Sequence, residues 1–427
     1  MHSAGVRPSA SPASAWKASP RAWAITFMLF GSMTLNFIDR LVLANVAPAL
    51  RSEFHLSNAQ YSYIVFAFMG GMTVGQLPIG MFIDWLGARL ALPGILTGWS
   101  ITNGLHAFAR TIGSFCSLRF IMGVFECGNY SSSVKIIGSM MPAHQRALAL
   151  AIMDSGSILG SVIAPPLVVF ILMHYGWHAA FLLPSVLGLL WIIPWFKIYR
   201  PELENLARPA AGSEYTEAPK VRDLLKRKQT WGVILMRGFG GPVSQFYWYW
   251  LPLYLVRGRG MSMAAMATLA SVSFLIGGSG NMAGGLVSGW MITRGGTVNA
   301  ARKICFTAGC LLAAATIFVP VVPGLPVSIA LVAMAIFGLN FNSCNLVAII
   351  ADVFPESTLA RVTGLSGIGE GVFNMILTLI TGAVVDRYSY VPVFLGAGLM
   401  PLVSIAALYI LVGRVEKIGV AAQAAAD

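Results

Sequence analysis

Long apolar stretches separated by short polar loops run through most of this chain. A helix needs roughly 20 apolar residues to cross a bilayer, and by that measure we predict about twelve spans. None is as short as a barrel strand and none alternates apolar with polar positions, so the pattern predicts a helical bundle. The predicted spans are 22–46, 58–80, 90–110, 112–138, 147–172, 178–198, 231–255, 264–291, 302–322, 326–351, 362–385 and 390–412.

The composition agrees with a membrane protein. Hydrophobic residues make up 57% of the chain and charged residues only 10%, and the mean hydropathy is +0.75. Soluble globular proteins usually carry about 25% charged residues. The fold class is therefore predicted to be an all-α membrane protein.

One longer polar stretch divides the chain into two sets of about six spans each. It covers residues 199–230 and includes a basic run from Arg222 to Lys228. We therefore predict a disordered N-terminal segment at 1–21, a six-helix half at 22–198, a linker at 199–230, a second half at 231–412 and a tail at 413–427.

The net charge of +12 is explained by topology. With the N-terminus inside the cell, most Lys and Arg residues fall in cytoplasmic segments, as membrane proteins generally require. This distribution predicts cytoplasmic termini, the linker 199–230 in the cytoplasm and the lipid bilayer as a partner. It argues against nucleic acid, whose binding needs a basic face.

Among the charged residues within predicted spans, two pairs stand out: Asp39 and Arg40 in the first span, and Arg119 and Glu126 in the fourth. Charge in hydrocarbon is costly and usually functional. Glu126 follows Arg119 by about two helical turns, so both face one side of their helix. Asp39 and Arg40 either neutralise each other or, since adjacent helical residues point about 100° apart, each meets a partner on another helix, where Arg119 and Glu126 are available.

These residue types suit the transport of an anion with protons. A guanidinium binds a carboxylate through two hydrogen bonds and stays charged when buried, which assigns Arg40 and Arg119 to the substrate. A carboxyl group in an apolar cavity can take up a proton, which assigns coupling to Asp39 and Glu126. No nucleotide or metal-ligand motif is evident, so we expect no cofactor, with the proton as coupling ion and sodium as the alternative.

Other functions are weighed against this interpretation. The glycine-rich segment from Gly156 to Pro166 is compatible with an efflux antiporter, but two arginines favour an anion as the substrate. The histidines show no nucleophile–base pair or metal cluster, so we predict no enzyme activity.

The loop after the second span, GMFIDWLGARL, resembles the loop signature of the major facilitator superfamily. The matching residues are Gly80, Asp84, Gly87 and Arg89. The glycines permit a tight turn, and we expect Asp84 to pair with a basic residue across the interface between the halves. Its predicted role is a conformational latch.

Much of the chain resembles the anion:cation symporter family of that superfamily, above all its hexuronate branch. The resemblance rests on stretches such as NFIDRLVLANVAPAL (36–50), RFIMGVFECGNYSSSVK (119–135) and FYWYWLPLYL (246–255). It implies proton-driven uptake of a sugar acid, a hexuronate or an aldonate, by a monomer in the bacterial inner membrane. The four charged residues fall on the family's charged positions. Aromatic or dicarboxylic acids are the alternative substrates.

Several positions depart from that family in ways that bear on the substrate. Met72 replaces a Tyr, Asp154 an Asn, Ser157 a sugar-binding Gln and Gly241 an Asp, and Glu370 stands where a small residue is usual. Ser157 and Asp154 are therefore candidate substrate contacts whose chemistry has changed.

Other polar residues leave alternatives open. Gln245 and Tyr249 are expected to bind substrate hydroxyls, and Asn345 either does so or joins helices. Asp154 holds a proton, pairs with Lys135 or faces the cavity. The remaining expectations are that Arg237 lies at the membrane interface, that Glu370 is hydrogen-bonded or paired across the halves, and that Trp248 and Trp250 anchor at the outer interface.

Overall fold

The computed structural model describes residues 18–199 and 221–418, which are helical almost throughout and contain no strand. Most of the predicted N-terminal segment, of the linker and of the tail lies outside these residues. The last two residues of that N-terminal segment, Pro20 and Arg21, belong to α1 and are not disordered as predicted. The helices are α1 (Pro20–Glu53), α2 (Asn58–Leu86), α3 (Ala88–Leu105), α4 (Ile112–Met140), α5 (Ala143–Ile198), α6 (Val221–Leu225), α7 (Lys228–Leu253), α8 (Met263–Thr293), α9 (Val298–Ala314), α10 (Leu325–Val353), α11 (Glu356–Arg387) and α12 (Val391–Ala407).

Every predicted span falls on a helix, and local sequence sets several helix ends. Ser57 and Gln60 form a reciprocal cap at the start of α2, which satisfies backbone N–H groups that the helix leaves unpaired. Gly87, at φ +73°, separates α2 from α3. This is the backbone conformation that glycine adopts most easily.

Helix α5 contains two predicted spans, 147–172 and 178–198. They meet at Gly176, whose backbone lies at φ +81° and interrupts the helix. By length and composition, seven of the described helices could each cross a bilayer, and the bent helix α2 makes eight. That number counts α5 once, although it is 56 residues long.

Small residues bring the helices into close contact. In the first half α1 packs on α5 and α2 on α4, and in the second α8 packs on α10 and α7 on α11. A Cβ atom on Gly156 or Gly160 would overlap the backbone carbonyls of Phe30 and Thr34 on α1. Glycine therefore allows α5 to approach α1 at backbone distance, as in other membrane bundles.

The two halves are joined at the end of the bundle opposite to Pro20. Asp386 on α11 accepts hydrogen bonds from the backbone N–H groups of Asn58 and Ala59, at 2.8 and 2.7 Å, so it caps the first turn of α2. Nearby, Arg257 contacts Ser52 at 3.2 Å, and the Tyr61 hydroxyl donates to the Tyr249 carbonyl at 2.8 Å. We call this set of contacts the closed end.

A cavity between the halves extends from the closed end toward the end that carries Pro20. Near the end that carries Pro20, the cavity wall includes Met236 on α7 and Leu346 and Ile350 on α10. The structure is therefore open on the side of the bundle from which α1 starts and closed on the other.

We expect Asp386→Asn to loosen the closed end. A carboxylate at a helix N-terminus gains from charge as well as hydrogen bonding, and its loss should speed backbone hydrogen exchange in the first two turns of α2 about tenfold. Mass-spectrometric exchange on the purified protein measures this. Arg387→Gln, a neighbouring exposed charge, serves as the control, and equal exchange in both variants would mean that the Asp386 carboxylate does not stabilise the closed end.

Candidate functional site

An ion pair joins α1 and α4 inside the first half. Arg40 Nε contacts Glu126 Oε2 at 2.9 Å, and Arg40 Nη2 donates to Asn36 Oδ1 at 3.2 Å. All three residues are buried. Glu126 Oε1 has no hydrogen-bond partner. The expectation that Arg40 meets a partner on the fourth helix is confirmed, and one carboxylate oxygen remains available to a proton or ligand.

Asp39 is held by a different helix from the one expected. Its two carboxylate oxygens accept hydrogen bonds from Trp99 Nε1, at 3.1 Å, and Asn103 Nδ2, at 2.9 Å, both on α3. Asp39 therefore meets another helix, as expected, but that helix is α3 and not α4, because its side chain points about 100° around α1 from that of Arg40. Trp99 and Asn103 were not anticipated, since both look like ordinary residues of a span.

Arg119 is buried without an anionic partner. Its side chain is fully enclosed, and its Nε and Nη2 atoms have no hydrogen-bond acceptor. Nη1 lies 3.6 Å from the sulfur of Met122, a weak acceptor. A buried charge without a partner costs free energy. The binding of an anion beside Arg119 would remove that cost and is therefore favoured.

One aromatic ring lies beside both guanidinium groups. The Phe68 ring centroid is 5.7 Å from the Arg40 guanidinium carbon and 5.6 Å from that of Arg119. The centroids of the Phe68 and Tyr249 rings are 6.2 Å apart. The Tyr249 hydroxyl is buried and has no hydrogen-bond partner among the described residues. Phe68 also lines the cavity, so it separates Arg119 from that space. Sequence alone does not indicate this role, because Phe is common in spans.

The cavity consists of three adjoining spaces of about 190, 230 and 200 Å³ that share lining residues. Arg237 and Glu370 lie between the first and third of these spaces. Arg237 lines the cavity wall, where its Nε contacts Glu370 Oε2 at 2.5 Å. Glu370 is thus paired within the second half, α7 to α11, and its expected pairing across the halves is wrong.

Asp154 and Ser157 line the second of these spaces, with Trp248 and Asn340. Asp154 therefore faces the cavity, and no ion pair to it is present among residues 18–199 and 221–418. Its alternative partner Lys135 contacts Asp84 instead, at 2.7 Å.

The loop motif is built as a tight turn. Gly87 adopts φ +73°, and the Arg89 carbonyl accepts a hydrogen bond from Trp195 at 3.0 Å. Asp84 pairs with Lys135 on α4, so its expected pairing across the interface is not present in this conformation. Both side chains are largely exposed. Gly80 has open space where a side chain would be.

Two aromatic residues of α7 lie far from their expected place. Trp248 lines the cavity and packs edge-on against Phe37 at 5.4 Å. Trp250 is buried against Tyr61 at 5.2 Å. The expectation that these two residues anchor at the outer interface is wrong, because contacts with other helices enclose both side chains.

Asn345 joins helices and does not line the cavity. Its Nδ2 donates to the carbonyls of Gly284 on α8, at 3.3 Å, and Phe341, at 3.1 Å. Of its two predicted roles, the helix contact is the one observed. Gln245 lines two of the spaces, and its side-chain oxygen has no partner.

These two amides should respond differently to truncation. Asn345→Ala is expected to lower the free energy of unfolding by about 1 kcal/mol and to leave substrate affinity unchanged. Gln245→Ala is expected to weaken affinity several-fold with little effect on stability. Thermal unfolding and ligand titration of both variants measure this, and a binding defect in Asn345→Ala would reverse its assignment.

Comparison with known proteins places the chain in a family. Residues 29–346 match the model of the Major Facilitator Superfamily. A D-galactonate transporter of Escherichia coli O6:H1 is 25% identical, over 96% of this chain and 99% of its own length. The hexuronate transporter of Escherichia coli K12 is 26% identical, over 88% and 90%.

The fold is also that of solved transporters. A bacterial homologue of the human lysosomal transporter Spinster, in an inward-facing and unoccupied conformation, superposes with a TM-score of 0.74 over 92% of this chain and 95% of its own, at 19% identity. These comparisons confirm the predicted fold and the resemblance to sugar-acid carriers. The family and these relatives are transporters and not enzymes. The chain is a multi-pass membrane transporter that belongs to the Major Facilitator Superfamily.

Proposed function

We propose that this protein is a proton-coupled symporter that imports a hexuronate or aldonate sugar acid by alternating access. The observation that carries this proposal is the buried guanidinium of Arg119, which has no anionic partner. A single carboxylate would satisfy both of its open donors through a two-pronged contact. The sugar-acid transporters among its relatives support the same substrate class.

Arg40 and Glu126 complete the site beside Arg119. Arg40 already has a carboxylate partner, so Arg119 takes the substrate carboxylate first. Phe68 lies over Arg119 on the cavity side, and its displacement opens the path to the guanidinium. The unpartnered hydroxyl of Tyr249 and the open oxygen of Gln245 are then available to sugar hydroxyls.

Glu126 and Asp39 carry the transported proton in this proposal. Glu126 Oε1 can accept a proton without breaking the contact between Oε2 and Arg40. A protonated Glu126 holds Arg40 less tightly, which couples the proton to rearrangement of the site. Asp39 is tied to α3, so its protonation would release α1 from α3.

We place both termini in the cytoplasm of a bacterial inner-membrane monomer, following the charge distribution. In that orientation the cavity opens to the cytoplasm, and the closed end faces outward. The structure then corresponds to the state that releases substrate, and closure around Asp84 and Lys135 would accompany the outward-open state.

Transport into proteoliposomes tests the proposal. Labelled glucuronate, galacturonate, galactonate and glucarate are offered with an imposed inward proton gradient. Accumulation of one sugar acid that a protonophore abolishes is the expected result. Accumulation that persists with the protonophore and needs sodium would identify sodium, and not the proton, as the coupling ion. Export of a dye with no sugar-acid uptake would support the efflux antiporter instead.

A further inference from the structure

A second ionic pair lines the cavity in the other half, and the proposed transport cycle gives it no role. Arg237 on α7 and Glu370 on α11 contact each other, and Arg237 Nη1 is 3.4 Å from Ser366 Oγ. Their side chains are 31% and 23% exposed, so water or ligand in the cavity can reach both. Charges at this depth are costly and tend to mark a ligand path.

The backbone around Glu370 leaves room for its carboxyl group. Gly241 on α7 faces it, and a Cβ atom at that position would overlap Glu370 Oε1. Any larger residue at position 241 would therefore force the Glu370 side chain to shift. The absence of a side chain at Gly241 thus fixes where the negative charge sits in the cavity wall.

Two further acceptors lie in the same wall. Gln245 on α7 and Asn374 on α11, one turn from Glu370, line a space with Arg237 and Glu370. The side-chain oxygens of Gln245 and Asn374 are buried and have no donor. Amide oxygens and carboxylates accept hydrogen bonds, and buried acceptors are normally satisfied. Hydroxyl groups of a sugar chain are donors of the required kind.

The charges of this wall do not favour a second anion. Glu370 already neutralises Arg237, and Asp154 adds a carboxylate in the adjoining space. Arg119, in the other half, has two guanidinium donors without an acceptor. A substrate with a carboxylate at each end would have to displace Glu370 from Arg237 and leave it unpaired, which is expensive in a cavity of low dielectric.

We propose that Arg237, Glu370, Gln245 and Asn374 form a hydroxyl-binding subsite for the end of the sugar acid remote from Arg119, and that Glu370 excludes substrates with a second carboxylate there. This inference rests on the proposed function and makes it narrower: the substrate is a monocarboxylic sugar acid, and dicarboxylic aldarates are rejected.

Galactonate and galactarate test this directly, because they differ only at C6, which is a hydroxymethyl group in one and a carboxylate in the other. Their affinities for the purified full-length protein are compared by calorimetric titration. The wild type is expected to prefer galactonate by about tenfold or more. Glu370→Gln keeps an acceptor for Arg237 but removes the charge, and should lower that preference by about tenfold.

Asn374→Asp provides a second variant that leaves the ion pair intact. It adds negative charge to the same space, so it should widen the preference for galactonate. Asp352→Asn removes the carboxylate from the other ion pair of this half, with Arg302, and should leave the ratio unchanged.

The outcomes separate this inference from the proposed function. Equal or tighter binding of galactarate by the wild type, or the same ratio in Glu370→Gln and Asn374→Asp as in the wild type, would refute the subsite while leaving sugar-acid transport in place. If neither these ligands nor the hexuronates bind the wild type, the proposed function fails and the inference fails with it.

Discussion

Arg119→Met is expected to abolish sugar-acid binding and at the same time to make the protein more stable. Loss of a two-pronged charged contact should weaken affinity by about 100-fold or more. Removal of a buried charge that has no partner should raise the free energy of unfolding by about 1 kcal/mol or more, because an apolar side chain of similar length needs no compensation there. Few substitutions change binding and stability in opposite directions, so the combination is diagnostic.

Two control variants sharpen this result. Arg110→Met removes an exposed arginine near the start of α4 and should change neither property. Arg40→Met removes the partner of Glu126 and leaves that carboxylate unpaired, so it should destabilise the protein by about 3 kcal/mol. Thermal unfolding with and without galactonate measures all three. Lower stability in Arg119→Met would mean that its guanidinium already has a partner.

Glu126→Gln is expected to uncouple transport from the proton gradient while substrate binding persists. Glutamine keeps an oxygen for Arg40 and resembles the protonated acid, but it cannot release a proton. A gradient of about one pH unit corresponds to about tenfold accumulation for one coupled proton. The variant should therefore reach only equal concentrations on both sides of the membrane, while exchange of labelled for unlabelled substrate continues.

A matched variant controls for the loss of an ion pair. Asp352→Asn removes the charge of an Arg–Asp pair with the same 2.9 Å separation, outside the cavity lining, and should retain concentrative uptake. Gradient-driven accumulation by Glu126→Gln would transfer the coupling role to Asp39 or Asp154. Loss of exchange as well would indicate that Glu126 is needed to position Arg40 for binding.

Charge placement explains how much of the site could be foreseen. Asp39, Arg40, Arg119 and Glu126 stand out in any reading of the sequence, because a charged residue within a span has a large energetic cost. Helical periodicity also places Arg119 and Glu126 on one side of α4. Which acid pairs with which base depends on side-chain direction across helices that are distant in sequence. Arg40 meets Glu126, whereas Asp39 turns to Trp99 and Asn103.

The second half shows the same limit more clearly. Arg237 and Glu370 are 133 residues apart in sequence, and the sequence does not indicate that they form a pair. Only the packing of α7 on α11 brings them together, and only the missing side chain of Gly241 lets Glu370 occupy that space. Phe68 and Trp248 show a related limit: aromatic residues fill cores, cavity walls and membrane interfaces, and sequence does not distinguish these places.

The sequence by itself determined the class of protein, an all-helical membrane bundle, since the cost of placing polar groups in lipid leaves few solutions. It also indicated the family, and the charges within its spans are the basis on which we propose an anionic substrate. The tertiary structure decided which side of the bundle is open, which guanidinium is left without a partner and which carboxylates are already paired. Those features depend on contacts between helices from distant parts of the chain. Alternative packing arrangements of these helices differ little in free energy, and local sequence does not specify which one is adopted.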